Sequence, residues 1–166
     1  MKFRILIAAS LAFVFLGPVA LAAHKPKPPN PQKFDALAKR AIAAMCQRAA
    51  ELNVGGVAVV NYAPGDTIQG WTSRMAVVGR MTDPPSDDKK GNNLLGIAYA
   101  KASEMAETLK DSGTSGKPPM TGEFGWQGGV IGRGKTGYII VAFSGGKSED
   151  DVQISRAGLA VLEPEL

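Results

Sequence analysis

Cysteine, histidine and a dominant sign of charge are all scarce in this sequence, and each scarcity removes a class of function. Cys46 is the single cysteine among 166 residues, so no intrachain disulfide can form, and in an oxidising compartment a lone thiol is either buried or paired between chains. Its Ala- and Met-rich surroundings predict burial. With no second cysteine, and the one histidine, His24, distant in sequence, nothing indicates thiolate chemistry. No Ser/His/Asp or Cys/His set, no placeable pair of catalytic carboxylates and no metal-ligand spacing is present. The formal net charge is +4, too mild to imply nucleic acid.

Long apolar runs are missing too. The run from Ile5 to Leu16 is shorter than the ~20 residues a spanning helix needs, so no stable membrane span is expected. Lys2 and Arg4 precede it, and Gly17-Pro18 and the small residues Val19 to Ala23 follow. That order is a secretory signal peptide over residues 1–22, cut after Ala22 or, as the runner-up, after Ala23. The expected location is the periplasm or the exterior. Cleavage removes two basic residues and no acid, lowering the charge to +2, and leaves about 140 residues, one ordinary domain.

Residues 23–31 form a Pro-rich linker, and the folded domain is expected over 32–166. Asn30-Pro31 has the pattern of an N-cap followed by proline at the first helical position. Phe34, Leu37, Ala38, Ala41 and Met45 then mark one face of a helix that ends near Asn53. Val57 to Tyr62 reads as a strand, and Thr67 to Met81 supplies more strand material. Residues 83–93 are a breaker-rich loop, and Leu94, Ile97, Ala98, Ala102, Met105 and Leu109 outline a second helix over about 94–110. After a second Gly/Pro-rich loop, residues 124–131 and the turn at 132–135 lead to the apolar run Tyr138 to Phe143. Gly145-Gly146 breaks that run, and Ser148 with Asp151 has capping-box spacing at the start of a third helix. Ile154, Ala157, Gly158 and Val161 share one face of it. This order predicts an α+β domain with antiparallel pairing, organised around the strand, glycine hinge and acid-started helix of 138–162.

Phe143-Ser144-Gly145-Gly146, then Glu149-Asp150-Asp151 and Ala157-Gly158-Leu159-Ala160, resembles the G-V-S-G-G…E-Q-D…A-G-L-A pattern of the GlcG/HbpS-like family. That family is also called DUF336 and is related to the C-terminal domain of PduO-type proteins. Arg80-Met81-Thr82-Asp83 is similar to its R-M-D, Lys101-Ala102 to the K-A of its middle helix, and Gly128-Gly129-Val130-Ile131 to its G-G-x-P-I. The sequence departs by lacking that proline, by its Gly- and Pro-rich 111–127 stretch, and by Ala142-Phe143 in place of Gly-Val. The resemblance implies a three-layer α/β/α domain on a five-stranded antiparallel sheet, profilin-like in topology and homo-oligomeric. It also implies heme or a related tetrapyrrole as ligand, which exported members have been associated with. Other members sit beside glycolate or diol metabolism without an assigned reaction.

Several motifs bear on chemistry. Residues 129–136 match the P-loop string G-x-x-x-x-G-K-[ST], but a β-rich run follows where a helix should meet the phosphates, so a basic hairpin turn is expected and no ATP. Lys101 lies in the apolar stripe of the second helix, where a lysine either snorkels or, with Arg80, holds a carboxylate or propionate at a pocket wall. Phe124, Trp126 and Trp71 can stack on a flat ring or simply pack. Heme iron takes His, Met, Cys or Tyr; Met81, Tyr99, Met105 and Met120 are available, with packing as the plainer role for each. Were cleavage to follow Ala23, His24 would become the N-terminal residue and could offer copper its amine and imidazole, yet no second histidine completes a site.

The expectation is an exported binding protein for a small flat or anionic ligand, held between the second helix and residues 122–131. Its candidate ligand-binding residues are Arg80, Met81, Lys101, Phe124, Trp126, Gly128 and Gly129. The alternative is an enzyme or accessory protein acting on a small organic acid, diol or aldehyde, with Lys101 or Arg80 as the anion holder; the missing nucleophile–base pair weighs against catalysis.

Overall fold

The computed structural model describes residues 28–166; the expected signal peptide, His24 and most of the linker lie outside them. Nine elements follow in order: α1 (Pro31–Glu51), β1 (Gly56–Pro64), β2 (Thr72–Val78), β3 (Thr82–Asp83), β4 (Asn92–Asn93), α2 (Leu94–Thr108), β5 (Gly129–Arg133), β6 (Gly137–Ser144) and α3 (Ser148–Leu162). β1, β2, β5 and β6 form one antiparallel sheet in the order β2-β1-β6-β5, with β1 and β6 at its centre.

Alternation along the central strands builds the layers, because successive side chains point to opposite faces. Ala58, Val60 and Tyr62 of β1, with Ile139, Val141 and Phe143 of β6, face α1 and α3. Val57 and Val59 face the other way, against Leu94 and Ala98, while Ile140 and Ala142 meet Ala102 and Met105 of α2. Two helices therefore cover one face and a single helix the other. Among the described residues no helix is long and apolar enough to cross a membrane.

The helix starts were legible in part. Asn30 caps α1, its side chain accepting from the Lys33 N–H at 2.7 Å, and Asn93 caps α2 by accepting from Gly96. Ser148 is not the cap of α3, however. Lys147 occupies that position without a side-chain bond, and Asp151 turns inward to accept from the Gly146 N–H at 2.8 Å.

The sheet has four strands, not five. β2 stops at Gly79, whose φ of +81° turns the chain away. Strand-like residues beyond it form only the two-residue ladder of β3 with β4, a separate small sheet. Pro84-Pro85 follows β3 at once, and proline has no N–H to extend a ladder. Residues 109–128 add no strand. The P-loop-like string forms the β5–β6 hairpin, closed by Gly134 N–H donating to Gly137 O at 2.9 Å. Cys46 is half-buried rather than buried.

Gly145 is the hinge between β6 and α3. Its φ is +152°, and a Cβ there would overlap the Gly55 carbonyl oxygen. Arg80 fastens the same hinge, donating to Gly145 O at 2.7 Å, to Gly55 O and to Asp83 Oδ1 at 2.7 Å. Gly145→Ala is expected to destabilise the domain by about 2–4 kcal/mol, read as a lowered urea midpoint at unchanged slope.

Arg80 first, and Asn92 second, hold the Asp83 carboxyl below the usual aspartate range. A carboxylate held this way contributes stability above its unfolded-state value and gives it up as pH falls through its lowered folded-state value. Acidification below about pH 4, the ordinary aspartate value, should therefore release the 80–93 hairpin first. Amide exchange, corrected for its intrinsic pH dependence, should show protection there fading before that of β1.

Candidate functional site

Lys101 is 4% exposed, and its stem lies along the sheet side of α2. It does not snorkel. Nζ donates to the Phe143 carbonyl at 2.7 Å and to Asp151 Oδ2 at 2.8 Å, tying α2 to the end of β6 and the first turn of α3. Gly128 completes the nest: with φ +135° its backbone passes so close that a Cβ would overlap the ammonium. Its carbonyl accepts from Phe143 N at 3.1 Å and Ser155 Oγ at 2.7 Å. Burial pushes the Lys101 ammonium down, with Asp151 opposing. It also pushes the Asp151 carboxyl up, with Lys101 and the Gly146 and Gly145 N–H groups opposing. Desolvation outweighs attraction on both partners.

Two adjoining compartments open beside this pair. The inner one, of about 320 Å³, has Lys101, Asp151, Ser144, Lys147 and Ser148 in its wall. The outer one, of about 540 Å³, runs over Gly96, Ala100 and Ser103 on the solvent side of α2 and is flanked by Tyr99 and Phe124. Asn92, Ile97 and Trp126 line both. Phe124 and Trp126 are 54% and 47% exposed, with ring centroids 5.3 Å apart.

The segment carrying these two aromatics is pinned at its root. Ser112 Oγ accepts from Gly129 N, Asp111 Oδ1 from Ile131 N, and Glu104 Oε1 from Gly113 N, all within 2.9 Å. Lys117 then bridges Glu107 of α2 and Glu123 at 2.6 and 3.3 Å.

The structure sorts the expected residues. Lys101, Phe124 and Trp126 line the compartments. Gly128 lies behind Lys101, and Gly129 backs onto Met105. Arg80 is occupied by the hinge, and Met81 is 43% exposed and in neither wall. Trp71 borders a different depression, near Gly65 and Gln69. Of the possible iron ligands, Tyr99 borders the outer compartment with its hydroxyl 2.9 Å from Ser73 Oγ, while Met105 is buried and neither it nor Met120 lines a wall. Among the described residues no group of three His, Cys, Asp or Glu could hold a metal. Sequence reasoning missed Asp151 as the partner of Lys101, because capping already explained it, and missed Ser144 and Asn92. The S-G-G motif was the available signal for Ser144.

No family model matches the sequence, and no curated protein matches it significantly. Among solved structures, Klebsiella pneumoniae protein ORFY, described as family-model DUF336, is similar at TM-score 0.52 and 16% identity, over 79% of this chain and 90% of that one. HbpS is matched at TM-score 0.40 and 19% identity, over 76% and 87%, and superposes too loosely to bear on the fold. The likeness to ORFY shows a shared DUF336 fold, in agreement with the resemblance read from the motifs.

Removing one member of a buried ion pair strands the other, at a cost of about 3–5 kcal/mol, whereas replacing both by apolar groups is often close to neutral. Lys101→Met should be destabilised by that amount in chemical denaturation. Lys101→Met/Asp151→Leu should recover most of the loss.

Proposed function

We propose that this domain binds a flat, conjugated carboxylate, with its ring against Phe124 and Trp126 and its acid group reaching the inner compartment. The observation that carries this reading is Trp126, which borders the apolar and the polar compartment at once. Exposed aromatics beside a concave surface offer a ring face, and such faces favour offset stacking. A tetrapyrrole with propionate groups has this form, and it is the member of the class that the family resemblance suggests.

The residues present fit the ring and the acid groups of a heme better than its iron. The iron, when bound, would supply the redox and ligand-exchange chemistry of the group. Among the described residues the one side chain able to ligate it at the outer compartment, Tyr99, already shares its hydroxyl hydrogen bond with Ser73. Phe124 and Trp126 hold the macrocycle in this reading, and its binding does not depend on the metal.

Hemin and iron-free protoporphyrin IX should therefore bind the purified protein with comparable affinity, followed by quenching of tryptophan fluorescence. Trp126→Ala should weaken both by about tenfold, while Trp71→Ala leaves both unchanged. Absence of binding by either porphyrin at micromolar concentration would reject the reading.

A further inference from the structure

We infer that the inner compartment is a carboxylate subsite, built from the Ser144 hydroxyl, the free N–H of Lys101 and the first turn of α3; it rests on the proposed binding function for its physiological ligand. Ser144 is 3% exposed and falls on the α2 face of β6 with Ile140 and Ala142, so its hydroxyl is turned to the cavity it lines. Among the described residues that hydroxyl has no hydrogen-bond partner, so its donor and acceptor capacity is open to a guest in the cavity.

The surroundings select the ligand. α3 is 15 residues long, and its cap residue supplies no side-chain acceptor, so the first N–H groups of the helix remain available to an anion. Lys101 spends two of its three protons on Phe143 O and Asp151 and keeps one. The carboxylates at the cavity, Asp151 and Asp83, are each paired, with Lys101 and Arg80. Lys147, exposed at the rim, is the cation in the wall with no carboxylate partner among the described residues. Glu149 and Asp150, the other acids of that first turn, lie outside the cavity wall and disfavour a dianion, so a hydroxyl, one ammonium proton and helix amides match the two oxygens and single charge of a carboxylate better than a phosphate.

Two measurements on the purified protein test this. In the first, acetate and inorganic phosphate are titrated while amide shifts are followed by NMR. Acetate should move the signals of residues 144–150, phosphate should do so more weakly, and Ser144→Ala should abolish the acetate effect. In the second, protoporphyrin IX is compared with its dimethyl ester, whose acid groups are masked. Ser144→Ala should weaken the free acid by about tenfold and leave the ester unchanged. An acetate titration that leaves residues 144–150 unmoved, or a variant that weakens acid and ester alike, overturns the subsite. Should neither porphyrin bind while acetate still moves those amides, the ring-binding function falls and the carboxylate subsite stands.

Discussion

A positive and a negative charge, both shut away from water, hold the three layers in register. Lys101 comes from the helix on one side of the sheet, Asp151 from a helix on the other, and the Phe143 carbonyl from the strand between them. Attraction between such groups rarely exceeds the cost of dehydrating them. What the pair supplies is a demand on geometry, because each charge must meet its partner or unfold the site around it. The bare backbone of Gly128 follows from that demand, since any side chain would displace the ammonium. The inward turn of Asp151, in place of a side-chain cap at Lys147, follows from it as well.

Most of the fold could be read from the chain because its signals are local. Apolar spacing at 3.6 residues located the three helices of the described residues, and Asn30 announced the first turn of α1 through a bond to a residue three away. The run at 138–143 is the central strand expected of it. The error in strand number has a local origin too. Thr82 and Asp83 continue a β-like sequence, yet the +81° φ at Gly79 and the prolines at 84–85 confine them to a two-residue ladder.

The site was harder to read because its decisive contacts join residues far apart. Lys101 stood out as a charge in an apolar stripe, but Asp151, fifty positions away, already had a sufficient explanation as a helix-start acid. Arg80 looked available for a ligand. Only the folded chain brings Gly55, Asp83 and Gly145 to its guanidinium and occupies it. Neither partner could be named from spacing, since ionic pairing between distant elements leaves no periodic trace in the sequence.

The two walls of the paired compartments are made of different material. The inner wall belongs to β6, α3 and the buried face of α2, where a change disturbs the hinge or the ion pair. Phe124 and Trp126 instead sit on a strandless excursion rooted through Asp111, Ser112 and Gly113, with its tip free of the sheet. Chain of that kind can be lengthened or rewritten without unpicking any ladder. Residues 114–127 can thus change in length and sequence while the inner wall, the hinge and the ion pair stay as they are. The scaffold separates a wall that is free to vary from one that the architecture holds fixed.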